Sequence, residues 1–390
     1  MIDKHQQSEP SLLSESGKPK VECNPSCTTD QASNANECLS PATIPLSPSQ
    51  KLVHLVSSPV RLVKRQVSPG SVNASVFALI IICMGAGTIT IPYVFYENGL
   101  ILGTLFVFFG ASLSIYTGFL IAFCAERTGG ASFEEIAYHL YGTRGMRFTS
   151  FCNICCNIGF LISYVVLFKD LTPYALNLFG ATLPSYLDDS KLGKTVWATL
   201  FCFLALLPLS LPRELTALRF TSLISFGISL FMVMTIFLLS FRETEADGFQ
   251  KHDFSERWHT AATQTKVSLA GIFNSLPLII FSYMYHPNIP AIYHELKKKN
   301  MISMKKVLGI GTGLATVAYF LVGIFGYVTF SMNPNCDEIM DEQNILKADY
   351  GDLTIIKVCL VGVLIVVLFA SPFCVLPSKD AIEELIMKDR

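Results

Sequence analysis

Residues 81–93 read IICMGAGTITIPY, and this stretch decides the fold. It closes an uncharged apolar run from Val72 to Tyr93, long enough for one membrane crossing of about 20 residues. Within that run Gly85, Ala86, Gly87, Thr88 and Pro92 gather at mid-depth, where each weakens a helix. Backbone groups freed by a break cannot face lipid, so a broken helix must line a cavity or bind something. Taken alone, a Gly-x-Gly is better read as letting another helix pack closely.

The sixth apolar run shifts that reading. It places Asn274, Ser275 and Pro277 inside the membrane and leaves through Ser282 and Tyr285-His286-Pro287. Two interrupted spans five apart are the sequence sign of an inverted-repeat carrier. In that architecture a half-helix N-terminus receives a carboxylate, and unwound carbonyls receive an ammonium or a cation. A zwitterionic amino acid satisfies both.

The rest of the chain agrees with a membrane setting. Hydrophobic residues make up 51% and charged residues 15%, so the chain needs an apolar solvent. A formal net charge of -1 gives no sign of a nucleic-acid partner. Runs without a charge predict eight spans: Val72–Tyr93, Leu100–Cys124, Phe148–Phe168, Thr195–Leu211, Phe220–Leu239, Val267–Met284, Val307–Phe330 and Leu353–Phe373. Only the last holds a charge, Lys357, near its start. The expected fold class is an all-α polytopic membrane protein.

Basic residues set the orientation. Arg61, Lys64 and Arg65 precede span one, Arg127, Arg144 and Arg147 follow span two, and Arg213 and Arg219 follow span four. Lys297, Lys298, Lys299, Lys305 and Lys306 follow span six, so eight crossings put all of them on one side. The positive-inside rule makes that side, and both termini, cytosolic. Residues 1–70, rich in Ser, Pro, Asn and Gln, read as a disordered cytosolic tail without a cleavable signal. Residues 71–379 form the membrane domain, and 380–390 are expected as a cytosolic C-terminus.

With those residues in place, the chain resembles the amino acid/auxin permease family, particularly its neutral amino acid transporter branch, from about Val72 to Lys379. GAGTITIPYVFYENGL is similar to the family's first-span signature at Gly85, Gly87, Pro92, Tyr93 and Gly99-Leu100. ISYVVLFKDLTP matches through Tyr164, Asp170 and Pro173, and the basic elbow through Pro208, Arg213, Leu218-Arg219 and Ser222. LPLIIFSYMYHPNIPAIYHELK matches through Pro277, Phe281, His286-Pro287, Tyr293 and Glu295-Leu296, and GYVTF through Gly326 to Phe330.

The resemblance implies the leucine-transporter-type inverted-repeat fold and a carrier of neutral L-amino acids in the plasma membrane or a vacuolar or lysosomal membrane. It places the substrate against Cys83, Met84, Gly85, Ala86, Gly87 and Thr88, with Tyr164, Asn274, Ser275 and Phe281 opposite. The partners implied are the amino acid and the lipid bilayer, with no cofactor beyond a coupling ion, proton or sodium. Sodium-coupled members carry an Asn and a Thr where this chain has Ile81 and Ala370, which leaves Ser371 as the one candidate hydroxyl for that ion. The family has eleven spans, so the fold is expected to be cut short after the eighth, and the 390-residue chain alone to be unstable or inactive.

Other features carry plainer readings. Cys152, Cys155 and Cys156 lack a second ligand pair and read as packing; Gly309 and Gly313 read as a helix-packing pair. His286 is expected to hydrogen-bond the bend, and Asp170 either to attract cations or to pair locally with Lys169. No nucleophile and base share a depth, so an enzyme is not expected. An amino-acid-sensing receptor and a transport-inactive scaffold remain the alternatives.

Overall fold

The computed structural model describes residues 68–85, 87–180, 183–184, 186–187, 190–211, 219–242, 253–263, 267–333, 335–348, 350 and 353–387. The expected tail up to residue 67, Ala86, the elbow residues Arg213 and Leu218, and residues 388–390 lie outside them. All regular structure among the described residues is helical. That follows from uncharged runs whose backbone groups must be paired within the segment.

The first helices are α1 (Val72–Cys83), α2 (Gly87–Thr128), α3 (Phe133–Leu178), α4 (Lys191–Leu200), α5 (Arg219–Leu239) and α6 (Phe254–Thr263). Next come α7 (Leu269–Ser282), α8 (Ile289–Glu295), α9 (Met301–Phe330), α10 (Cys336–Asp341), α11 (Thr354–Ala370) and α12 (Pro372–Met387). Among the described residues six stretches are long and apolar enough to cross a membrane: Gly87–Thr128, Phe133–Leu178, Lys191–Leu209, Phe220–Leu239, Met301–Phe330 and Thr354–Ile386.

The difference from eight has a local cause. Spans one and six are divided, so α1 with 12 residues and α7 with 14 are too short to cross alone. The second half of span one joins span two in α2, through a turn at Gly99 with φ 72°. Only glycine adopts that angle without strain. Gly142, at φ 69°, makes the same kind of joint inside α3. Span eight does not stop at Phe373: after Ser371 the chain restarts at Pro372 and stays helical to Met387, through much of the stretch expected as a terminal tail. Proline at a first helical position sacrifices no hydrogen bond, which explains the restart. In span four a π-helical stretch, Phe201–Leu206, precedes Pro208, whose missing N–H interrupts the ladder.

The long helix α9 is central, packing on α1, α2 and α5. Glycines make the approach possible: Gly311 faces Leu79, Gly323 faces Phe95 and Ile91, and Gly326 faces Pro92. The expected pair Gly309 and Gly313 does not pack, since nothing lies within 4 Å of where their Cβ atoms would stand. Spacing puts them on one face, but that face points outward. Likewise Cys152 and Cys155 are exposed on α3 rather than packed, and Asp170 pairs with Lys194 at 3.8 Å rather than with Lys169.

Backbone and side-chain bonds close the bundle at both ends. At one end Lys297 N–H donates to Gly70 O at 2.9 Å, and Ser132 Oγ donates to Glu384 at 2.7 Å. At the other, Tyr96 Oη donates to Asp337 Oδ1 at 2.6 Å and Tyr174 Oη to Lys347 O at 3.2 Å. Between them, outward faces of α2 and α3 expose Ile101, Phe109, Phe148 and Phe151, as lipid-facing helices do.

Candidate functional site

Helix α1 ends at Cys83 and α2 begins at Gly87, so the first break opens at Met84 and Gly85. Helix α7 ends at Ser282, and a 3-10 turn, His286–Asn288, leads into α8, so the second break is Tyr283 to Tyr285. The two breaks touch. A Cβ on Gly87 would stand 2.6 Å from Ser282 Oγ and 3.0 Å from Ser282 Cα.

Two helices therefore end with their C-terminal carbonyls at one place. Such carbonyls have no partner within their own helix, and the macrodipole makes that end negative. Here Tyr319, from the middle of α9, supplies the donor. Its Oη donates to Ser282 O at 2.8 Å and also lies in hydrogen-bonding contact with Cys83 O. The opposite polarity is nearby, because α2 starts immediately after the first break and presents its first-turn N–H groups there. Thr88 is fully buried in that turn, and its Oγ1 has no hydrogen-bond partner. A buried hydroxyl left unpaired is costly, so the position suits an incoming acceptor.

Helix α9 holds the second break through a stripe at helical spacing, Thr312, Thr316 and Tyr319. Tyr283 Oη donates to Thr316 Oγ1 at 3.2 Å, and Thr312 Oγ1 donates to Tyr285 Oη at 3.0 Å. From α2, Ser114 Oγ donates to Tyr283 O at 2.8 Å, and Thr117 Oγ1 lies 2.8 Å from His286 Nε2. The bend is thus tied on two sides, with His286 as one of its hydrogen-bonding groups.

The sequence-predicted residues divide into those the structure brings together and those it does not. Cys83, Met84, Gly85, Gly87 and Thr88 form the first break and its flanks, and all are buried; Ala86 lies outside the described residues. Tyr164 reaches the break from α3, its hydroxyl 3.2 Å from where a Cβ on Gly85 would sit. Phe281 sits one residue before the end of α7, its ring 5.0 Å from that of Phe160. Asn274 and Ser275 stand elsewhere: at 1.5 Å per residue they lie roughly 10 to 12 Å back along α7 from Ser282. Ser275 accepts from Asn98 Nδ2 at 2.6 Å, which fastens α7 to α2. Ser371 is fully buried at the α11–α12 junction, and its Oγ donates to Leu368 O of its own helix at 2.9 Å.

Sequence reading missed Tyr319, Tyr283 and the two threonines. The available signal was the stripe of Thr312, Thr316 and Tyr319 in an otherwise apolar span. A further group lies toward the Gly70 end, where Glu134, Asn153, Asn288, Glu295 and Asp380 line a cavity of about 40 Å³. Asn153 Nδ2 donates to Glu134 Oε1 at 2.7 Å.

Broken helices meeting end to end inside a polytopic all-helical bundle define a membrane transporter. The family model for transmembrane amino acid transporter protein matches residues 68–389, and the chain belongs to that family. It is a family of carriers rather than of catalysts, and membership makes an amino acid the substrate class.

Proposed function

We propose that this chain carries neutral L-amino acids by alternating access around the paired breaks. The observation that supports this best is the polarity of the contact. Two helix C-termini offer Cys83 O and Ser282 O to an ammonium, while the first turn of α2 offers N–H groups and the unpaired Thr88 hydroxyl to a carboxylate. No charged side chain lies within Cys83–Thr88 or Ser282–Tyr285, which favours an uncharged substrate side chain. In the arrangement seen here Gly87 rests on Ser282, so the breaks must part to admit a ligand. Rocking of one set of half-helices against the other would open the site to each side in turn.

The Gly70 and Lys297 end would face the cytosol by the distribution of basic residues. The membrane is the plasma membrane or a vacuolar or lysosomal one. Sodium is the less favoured coupling ion, because Ile81 and Ala370 are apolar and buried and Ser371 bonds within its own helix. Uptake of labelled amino acids into proteoliposomes, under an imposed proton or sodium gradient, tests the reading. Saturable uptake of neutral amino acids supports it; no uptake and no binding of any amino acid overturns it.

A further inference from the structure

Helices α3 and α4 leave a cavity of about 610 Å³ between them, well away from the paired breaks. Helical spacing builds both walls. On α3, Ile158, Ile162, Val165 and Lys169 recur every three or four residues and share one face. On α4 and the π-helical turns that continue it, Lys191, Lys194, Ala198, Cys202 and Leu206 do the same. Ile158 and Ile162 are 48% and 58% exposed, so the cavity opens sideways toward hydrocarbon rather than into the bundle.

One end of this cavity is basic and the rest is mainly apolar. Lys169, Lys191 and Lys194 stand at that end, and among the described residues the lining has no carboxylate. Asp170, outside the lining, approaches Lys194 at 3.8 Å, and ion pairs as exposed as this one are weak. Lys191 and Lys194 also stand at the start of α4, where the macrodipole is already positive and no acidic residue shares the first turn. The depth is that of a headgroup. Trp197, whose Nε1 donates to Leu187 O at 3.0 Å, and the exposed Tyr186 stand beside the lysines, as aromatic residues do at a membrane–water boundary. At 1.5 Å per residue, the walls run roughly 16 to 23 Å from the lysines to Ile158 and Leu206. That is near the depth of one leaflet, half of a hydrocarbon core of about 30 Å.

We propose that this cavity holds one anionic phospholipid, its phosphate on Lys169, Lys191 and Lys194 and an acyl chain between α3 and α4. The inference does not rest on the transport reading. Any lipid tail fits the apolar walls, because hydrocarbon gains little by leaving other hydrocarbon. The lysines therefore decide which lipid stays. A zwitterionic headgroup brings a phosphate too, but its own cation faces the same positive field. Basic pockets between helices select headgroups with net negative charge for that reason.

Native mass spectrometry of the full chain, released from neutral detergent with phosphatidylglycerol or phosphatidylcholine of identical acyl chains, tests this. The wild-type chain is expected to retain one phosphatidylglycerol with about tenfold or greater preference. Joint replacement of Lys169, Lys191 and Lys194 by Gln should bring the preference close to unity and leave phosphatidylcholine retention unchanged. Ala198→Phe fills the cavity with every lysine intact and should abolish retention of the bound lipid. Lys298→Gln with Lys299→Gln, in the basic segment before α9, should keep the full preference. Equal retention of both lipids by the wild-type chain, or of neither, overturns the proposal. So does an equal loss in the Lys298 and Lys299 variant, which would mark diffuse attraction, or undiminished retention in Ala198→Phe. Displacement of the lipid by glycerol 3-phosphate at equal concentration would show a phosphate site without a chain and overturn it as well. The wild-type comparison needs no variant, so a misfolded one does not spare the proposal.

Discussion

Gly87 lies flat against Ser282, and a Cβ there would stand 2.6 Å from the serine Oγ and 3.0 Å from its Cα. The reason for glycine is therefore close approach rather than backbone freedom, since Gly87 is not among the positive-φ glycines. The contact joins the two breaks, so any side chain at this position acts on both.

Gly87→Val is accordingly expected to abolish substrate binding while the protein still inserts and purifies as a folded species. A β-branched residue would press on the Ser282 backbone and block approach to the Cys83–Thr88 segment. Ligand binding and size-exclusion behaviour in lipid nanodiscs check it. Unchanged affinity in a correctly inserted variant would sink the model of a site at the breaks.

Transport should continue when sodium is replaced by a large organic cation. Ile81 and Ala370 are 1% and 0% exposed and offer no side-chain oxygen, and Ser371 is bonded to Leu368. Uptake measured across a sodium series checks this, and a steep sodium dependence would refute it.

The glycine seam on α9 separates two otherwise similar substitutions. At Gly323 a methyl would run into Phe95 and Ile91, so Gly323→Ala should destabilise the protein by about 1–3 kcal/mol. At Gly313 a methyl meets nothing within 4 Å, so Gly313→Ala should be neutral or slightly stabilising. Thermal unfolding of both variants in the same lipid decides between this seam and the alternative at Gly309 and Gly313.

Much was legible from the chain alone because it is a local property. A charge-free run of sufficient length must pair its own backbone in lipid, so each apolar segment became helix. The first break was readable because Gly85 and Gly87 weaken a helix wherever it is placed; Pro277, expected to interrupt the sixth run, lies inside α7, and the second break falls at Tyr283–Tyr285, ahead of Pro287. The length of α2 was not readable: Gly99 carries the chain from one span into the next, and a positive φ leaves no mark on the hydropathy of its neighbours.

By itself the sequence determined the all-helical membrane architecture, the position of the first interruption and the family. Only the tertiary structure decided which faces meet. Outside its short Thr312–Thr316–Tyr319 stripe, α9 is nearly apolar on every side, and hydropathy does not give its rotation because lipid and protein core demand the same side chains. Hence Gly311, Gly323 and Gly326 turn inward while Gly309 and Gly313 face out, and Ser275 serves Asn98 rather than the break. For the same reason Tyr319, distant in sequence from both breaks, became visible as the group that joins them only once α9 was packed on α1 and α2.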